Sequence, residues 1–377
     1  MVKAMYAFSG DPITFGHIDI IKRASETFDD FTVGIGVNPD KKYMFSLEER
    51  TEMAKAALSD LKNVRIVPFQ GLLVDYAYEN GISVLIKGVR NSADFDYENV
   101  LHQAGESQKL GIDTHILFAR PNLAHVSSSM VKAIQKEQGL IHEYVPLYVK
   151  QCLEAKMSGQ YIIGVTGEIG AGKSYVSKKF EEIGKARSIE VHNIELDHIG
   201  HEILEELKEP AYVKVRDQIA EAFRAHVKLS DGRINRKALG EVVFNDKSAL
   251  ETLDRIMYTP MIVRLRRELY GKKGLILLNA ALIAEADWSY LCNNNAVLIS
   301  VDKKSQERRL GERGLNRDQI QRRLESQYSF SQKYNSLNSS IKRDNQGHIW
   351  KLDNSDNSPE YQIVQVFDNV VKGLGVK

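Results

Sequence analysis

With 377 residues, 43% hydrophobic and 27% charged, the chain has material for two or three ordinary domains, each with its own core. A net charge of +1, from 51 basic and 50 acidic residues, speaks against bulk nucleic-acid or membrane-surface binding. Cys152 and Cys292 match no metal spacing, the N-terminus lacks a signal-peptide apolar stretch, and the longest apolar run (275–284) is interrupted by Asn279 and too short for a bilayer, so a reduced, cytoplasmic protein is expected.

Along residues 1–158 short apolar runs alternate with helical patterns. Strands are predicted at 2–7, 31–37, 64–67, 83–87 and 114–119, and helices at 17–28, 47–58, 72–79, 95–110 and 128–138. Ser46, with Glu49 three residues on, makes a capping box for the second helix. Such alternation predicts a parallel sheet wound on both faces, with ligands bound outside the carboxyl ends of the strands where the strand order reverses. The loops at those ends carry cations and hydroxyls. Gly10, Gly16 and His17 follow the first strand, and Lys41 and Lys42 the second; Lys87, Gly88 and Arg90 close the fourth, and His125, Ser127, Ser128 and Ser129 follow the fifth. Basic groups and serines gathered at one sheet edge suit a polyphosphate, and an imidazole at a helix start can donate to phosphate.

These residues resemble a known family. Thr14-x-Gly16-His17 is similar to the T/H-x-G-H motif of the nucleotidyltransferase superfamily, and essentially all of residues 1–158 resemble bacterial phosphopantetheine adenylyltransferase. The likeness runs through Asp11-Pro12-Ile13-Thr14-x-Gly16-His17-Ile18-Asp19-Ile20, Lys41-Lys42-x-Met44-Phe45-x-Leu47-Glu48-Glu49-Arg50, Ala93-Asp94-Phe95-Asp96-Tyr97-Glu98 and Val126-Ser127-Ser128-Ser129. The resemblance implies transfer of AMP from ATP to 4′-phosphopantetheine, giving dephospho-CoA and pyrophosphate, with the substrate phosphate attacking the α-phosphorus directly. It implies that His17 stabilises the transition state and that Ser9 and Gly10 hold substrate and ATP near the reacting atoms. Lys41 and Lys87 would hold the phosphopantetheine phosphate and offset repulsion between the anions, and Leu73 would contact the pantetheine arm. Gly88, Val89, Arg90, Glu98, Leu123, Ala124, His125, Val126, Ser127, Ser128 and Ser129 are expected on the ATP side. Ser9 stands where the family usually has threonine. Lys87 stands where arginine is usual, which keeps the charge but loses a planar bidentate fork. That family is commonly hexameric, so a homo-oligomer formed through the first domain is expected.

A helix at 144–157 is predicted to close this domain, with Ser158-Gly159-Gln160 as a minimal linker. The second domain, 161–377, opens on an apolar strand at 161–165, then Gly167-Glu168-Ile169-Gly170-Ala171-Gly172-Lys173-Ser174, then a helical pattern from Tyr175. G-x-x-x-x-G-K-S between a strand and a helix is the context a phosphate-binding P-loop requires. Its glycines let N–H groups point at phosphate, Lys173 supplies a mobile charge, and the Ser174 hydroxyl suits Mg²⁺. Gly167, Gly170, Ala171, Gly172, Lys173, Ser174 and Tyr175 are the expected ATP contacts. Further on, Glu195 and Asp197 end an apolar segment before a helix at 199–207, and strands are predicted at 275–278 and 296–301. Arg309 and Arg313 share a helical face if that segment is helical, and Arg317, Arg322 and Arg323 follow. Such arginines are where a small-molecule kinase places a lid over the transferring phosphoryl group. Beyond Ser339, Asn/Asp-rich turns are expected.

Residues 161 to about 330 resemble dephospho-CoA kinase, through the P-loop, Glu195-x-Asp197, Asp231-Gly232-x-Ile234-Asn235-Arg236-x-Ala238-Leu239, Gln306-x-x-Arg309-x-x-x-Arg313 and Arg323-x-x-x-Gln327. The resemblance implies phosphorylation of the ribose 3′-hydroxyl of dephospho-CoA by ATP·Mg²⁺, with Asp197 as base, Lys173 bridging the β- and γ-phosphates and Arg313 reaching in from the lid. Glu168 stands where the family often has glycine, and Tyr175 replaces a small hydroxyl residue. The expected architecture is thus α/β throughout: a nucleotidyltransferase-type Rossmann-like parallel sheet followed by a P-loop kinase domain with an arginine-bearing helical lid. The product implied for the first domain is the substrate implied for the second, so a fusion carrying the last two steps of coenzyme A biosynthesis is expected. Its ligands would be small molecules, with no nucleic acid or membrane partner. A P-loop module that senses nucleotide without phosphorylating, or a kinase for another hydroxyl acceptor, stays open at this level. A class I aminoacyl-tRNA synthetase fragment shares the H-x-G-H-like loop, but neither a K-M-S-K-S-type loop nor a basic surplus accompanies it.

Overall fold

In the computed structural model, which describes residues 2–223, 225–243, 246–312, 320, 324 and 327–376, the chain divides into two units, 1–153 and 154–377. The first unit runs β1 (Lys3–Phe8), α1 (Phe15–Ser25), β2 (Asp30–Gly36), α2 (Leu47–Ala57), β3 (Val64–Phe69), α3 (Leu73–Glu79), β4 (Val84–Val89), α4 (Ser92–Glu106), β5 (Asp113–Phe118), α5 (Ser128–Lys136) and α6 (Leu147–Leu153). Its five strands are all parallel, in the order β3-β2-β1-β4-β5. The chain winds outward from β1 to β3, then crosses back to β4 on the other side of β1. A crevice therefore opens between the carboxyl ends of β1 and β4. Buried Ala4, Met5, Phe31, Val33, Ile35, Leu85 and Ile86 fill the sheet, which is why these strands read as near-continuous apolar runs. The Ser46–Glu49 capping box is present, with the Ser46 N–H donating to Glu49 at 2.7 Å and the Glu49 N–H to Ser46 Oγ at 3.2 Å.

The second unit begins in a π-helical turn, Glu154–Ser158, and continues β6 (Gln160–Gly167), α7 (Lys173–Ala186), β7 (Val191–Glu195), α8 (Leu196–Glu205), α9 (Pro210–Phe223), α10 (Arg236–Val243), α11 (Lys247–Leu269), β8 (Gly274–Asn279), β9 (Asn295–Ser300), α12 (Lys303–Glu312), α13 (Phe330–Asp344), β10 (His348–Asp353) and α14 (Tyr361–Leu374). The sheet order is β10-β9-β6-β8-β7, again all parallel, so the loop after β6 lies at the point where the order reverses. Its core joins Val165, Val176, Phe180, Leu277, Val297, Ile299, Leu352, Phe367 and Val370, with Phe180 and Phe367 packed edge to face at 5.3 Å.

Two expectations are corrected. The segment 158–160 is not a bare linker: Gln160 already belongs to β6, and its buried amide donates to the Leu269 carbonyl at 2.7 Å and the Lys272 carbonyl at 3.0 Å. Just before it, Glu154 accepts a hydrogen bond from Asn293 at 2.6 Å, which ties this segment into the second unit. Nor does the chain dissolve into turns after Ser339. It completes α13, adds the edge strand β10 and closes with α14, whose Ile363, Val366, Phe367, Val370 and Leu374 form a buried stripe at helical spacing. No helix among the described residues is long and apolar enough to cross a membrane.

Candidate functional sites

In the first unit a cleft of about 1050 Å³ opens at the carboxyl ends of the strands. Ser9, Gly10 and His17 line it from the β1 loop, Lys41 from the β2 loop and Leu73 from the start of α3. Lys87, Gly88, Arg90 and Glu98 come from β4 and α4, and Leu123, Val126, Ser127, Ser128 and Ser129 from the loop before and the start of α5. The structure thus gathers most of the expected residues. Val89, Ala124 and His125 are not on the cleft wall. Val89 is buried in β4, Ala124 lies in the turn closed by the Val126 N–H on the Leu123 carbonyl, and the His125 ring packs edge-on to Tyr144.

His17 is fixed in one tautomer. The Thr14 backbone N–H donates to its Nδ1 at 3.0 Å, so the neutral ring carries its proton on Nε2. The ring rests on Phe8 at 4.6 Å between centroids. Burial, then the charges of Arg90 and Lys41, push its pKa down to about 4. His17 is therefore a neutral hydrogen-bond donor at physiological pH.

The cations around it are held by partners. Lys87 is paired with Glu98 at 2.7 Å. Arg90 meets Asp94 through Nε at 2.7 Å and Nη2 at 3.0 Å. Both acids sit on α4 one turn apart, so a polyphosphate entering the cleft competes with carboxylates already in place. Lys41, in contrast, is on an exposed loop. The hydroxyl of Ser128 donates to the Pro12 carbonyl at 2.8 Å and Ser127 Oγ accepts the Met130 N–H at 3.2 Å, so these serines shape the start of α5 against the β1 loop.

Two further residues support the site that motif reasoning left without a role. Arg50, 1% exposed, donates to the carbonyls of Ser9 and Gly36, the latter at 2.8 Å, and stacks on Tyr43 at 4.0 Å. It locks the ends of β1 and β2 together. Asp11 accepts the N–H groups of Met44 and Phe45 at 3.2 and 3.0 Å and pairs with Lys132 at 2.8 Å. Burial works against its charge, but Lys132 and those two amides outweigh it and hold its carboxyl below the usual range. Asp11 thereby fixes one end of the loop that bears Lys41. Both residues lie in quoted motifs, yet only tertiary contacts reveal what they hold.

In the second unit the P-loop connects β6 to α7, with Lys173 and Ser174 as the first two helical residues. Gly172 has φ +86°, and a Cβ there would come 2.3 Å from Asn354 Nδ2, so glycine is required twice over. Three loop carbonyls are engaged by side chains. Gln306 donates to Ile169 at 2.8 Å, Arg309 to Gly170 at 3.4 Å and Asn354 to Ala171 at 2.8 Å. Oxygens occupied in this way do not face an anion, and the start of α7 adds its dipole. Lys173 Nζ reaches the Gly167 carbonyl at 3.4 Å. Tyr175 is 48% exposed on the first turn of α7.

Asp197 follows β7 in the first turn of α8, whose N-cap is Glu195. Surrounding protein raises its carboxyl above the ordinary range, although the side chain keeps an exposed face; Lys173 and the Ala281 N–H oppose the rise. The P-loop lysine and this carboxylate thus share one site. Glu168, the acid within the loop, accepts the Phe330 N–H at 3.1 Å. Arg309 reaches back over the loop, donating also to the Asn354 carbonyl at 2.7 Å and to Asp356 at 2.9 Å. Arg313, Arg317, Arg322 and Arg323 lie outside the described residues.

Comparison with known proteins agrees with this division. A dephospho-CoA kinase family model matches residues 161–349, and a cytidylyltransferase-like family model matches residues 9–134. The phosphopantetheine adenylyltransferase of Petrotoga mobilis is 41% identical over 154 residues, covering 41% of this chain and 95% of that protein. That of Clostridium tetani is 43% identical over 143 residues, covering 38% and 89%. A solved dephospho-CoA kinase from Campylobacter jejuni aligns with TM-score 0.34 and 19% identity over 57% of this chain and 97% of its own. Fold and sites define a nucleotidyltransferase joined to a P-loop kinase. The chain belongs to the phosphopantetheine adenylyltransferase family through its first unit and to the dephospho-CoA kinase family through its second, both transferase families of coenzyme A biosynthesis.

Proposed function

We propose that the chain makes coenzyme A from 4′-phosphopantetheine in two steps, each consuming ATP. In the first, a phosphate oxygen of phosphopantetheine attacks the α-phosphorus of ATP, the α–β bridging bond breaks, and dephospho-CoA and pyrophosphate result. His17 Nε2–H donates to the α-phosphate as charge builds, with Lys41 and Lys87 neutralising the two anions and Ser9 and Gly10 beside them. Leu73 contacts the pantetheine arm. Arg90, Glu98 and the start of α5 face the nucleotide.

In the second step the ribose 3′-hydroxyl of dephospho-CoA attacks the γ-phosphorus of another ATP and releases ADP. Asp197 orients the hydroxyl and takes its proton, Lys173 bridges the β- and γ-phosphates, and Arg313 would neutralise charge on the transferring phosphoryl group. A serine hydroxyl and a carboxylate in one phosphate site are the oxygen donors a hard divalent cation favours, so Ser174 would hold Mg²⁺, which neutralises phosphate charge when bound. The reading places the protein in the cytoplasm, with the first step in unit 1–153 and the second in unit 154–377.

The observation that carries this proposal is composition of the reactions: the product of the first family's step is the acceptor of the second's, and one chain holds both units. Phosphopantetheine with excess ATP, followed by mass spectrometry of the products, tests it. CoA is expected to accumulate; dephospho-CoA without CoA would instead favour a P-loop unit that binds nucleotide without phosphorylating. Feeding dephospho-CoA beside ordinary nucleosides tests the choice of acceptor.

We also propose self-association through α4. This helix buries no residue; Tyr97 and Leu101 line the cleft, and Phe95 and Val100, at 41 and 63% exposure, lie off it. Exposed apolar side chains such as these two suit burial against another copy. Sedimentation should find an oligomer that Val100→Glu converts to monomers; a wild-type monomer would overturn this proposal.

A further inference from the structure

Glu168 stands in the phosphate-binding loop, where an acid facing the cradle would repel nucleotide, but the structure turns it toward another element. Its Oε1 accepts the N–H of Phe330, the first residue of α13, at 3.1 Å. That N–H is one of the orphan donors at a helix start, so the acid meets the positive end of a helix dipole. The same helical start is held at a second point. Lys333, wholly buried, donates to the Ala281 carbonyl at 2.6 Å and to Glu285 at 2.5 Å, and Glu285 also accepts the Tyr328 N–H at 3.0 Å. Ala281 donates its own N–H to Asp197, and its carbonyl receives the Thr166 hydroxyl at 3.2 Å. One short segment, 328–333, is therefore bonded to the P-loop on one side and to the loop that orients Asp197 on the other.

We infer that Glu168 and Lys333 are positioning residues for the second reaction: through the start of α13 they set the phosphate loop and Asp197 at a fixed separation. The inference rests on the kinase reading of this unit. Neither side chain needs to touch a substrate. Glu168 acts as a hydrogen-bond acceptor, so a glutamine oxygen replaces it and a methyl group does not. Misplacement of reacting groups slows chemistry more than it weakens binding of the nucleotide.

The test is steady-state formation of CoA from dephospho-CoA and ATP by the full chain. Wild-type protein that forms no CoA sinks the proposed function; wild-type activity leaves the inference to the variants. Glu168→Ala should lower kcat about tenfold to a hundredfold while the KM for ATP moves less than about threefold, and Glu168→Gln should restore near-normal kcat. Adenylyl transfer by the first unit stays unchanged in each. Phe330→Pro removes the same bond from the other side without disturbing the helix: proline is favoured at the first helical position, and Ser329 at φ −61°, ψ 163° already has the conformation that precedes it. The double variant should be no slower than Phe330→Pro alone, because the bond to Glu168 is already absent there and that change also removes a half-buried ring. Lys333→Met combined with Glu285→Gln removes both buried charges together and should show the same loss of kcat. The inference is overturned by Glu168→Gln as slow as Glu168→Ala, by additive losses in the double variant, or by a raised KM for ATP at unchanged kcat. Should Glu168→Ala not fold, Phe330→Pro with normal kcat also overturns it.

Discussion

Replacing His17 with alanine should slow adenylyl transfer by about 10²- to 10³-fold, the usual cost of removing one preorganised donor from a site of developing charge. The direction follows from the tautomer. With Nδ1 committed to the Thr14 N–H, the ring offers Nε2–H to the cleft, and as a neutral group it gains most when the α-phosphate takes on extra charge. Because it acts in the transition state, kcat should fall with little change in the KM for ATP. His17→Gln keeps an N–H donor near the same place and should recover part of the loss. CoA formation from added dephospho-CoA should be untouched in both variants. A His17→Ala protein that still adenylylates phosphopantetheine at the wild-type rate contradicts the role.

The same burial has a pH consequence. In the unfolded chain a histidine titrates near its ordinary 6.5, whereas His17 in the fold is pushed down to about 4. Between those values the unfolded state binds a proton that the folded state does not. The contribution of His17 to stability is therefore fully present above about 6.5, declines as pH falls through that window, and is lost below about 4. Imidazole ¹⁵N spectra of the ligand-free protein, assigned with His17→Gln, should show the Nε2–H form persisting down to about pH 5; half-protonation near 6.5 would refute the assignment.

Much of this architecture was legible because parallel strands covered on both faces are near-continuous apolar runs, and the loops after them stand out by their glycines, cations and hydroxyls. The site in the first unit follows from that rule: one sheet edge gathers His17, Lys41, Lys87 and the 127–129 serines whatever the exact strand ends. What stayed hidden depends on pairings distant in sequence. Nothing in the local pattern of β10 reveals an edge strand, since His348, Lys351 and Asp353 dilute its apolar residues. Only its parallel pairing with β9 brings Asn354 to the Ala171 carbonyl, across 183 residues of sequence. The direction of Glu168 was equally invisible, because its partner is a backbone N–H 162 residues away. Pairing of Lys87 with Glu98 needed β4 and α4 placed in space before a cation on a strand and an acid on the following helix became one pair.

Lys173→Ala should lower the second reaction by about 10³-fold or more, on the scale found when a cation is withdrawn from a transferring phosphoryl group. Lys173 is the first residue of α7, and its ammonium reaches the Gly167 carbonyl at 3.4 Å, so it lies over the loop that the phosphates would fill. Alanine is the best helix former and should leave α7 intact, so the loss is electrostatic. The lysine also opposes the rise in the Asp197 carboxyl, and its removal should leave that acid harder to ionise. An aspartate that must be ionised to accept a proton loses activity as pH falls through its raised pKa. The acidic limb of kcat/KM for CoA formation should therefore lie above the ordinary 3.8 in wild type and move upward in a slow variant such as Lys173→Met. With phosphopantetheine as the starting substrate, Lys173→Ala should stop at dephospho-CoA, whereas His17→Ala should yield neither product, and mixing the two variants should restore CoA because the intermediate diffuses between molecules. Recovery in the mixture identifies each residue with its own step; a mixture that stays inactive would require the intermediate to be passed within a single chain.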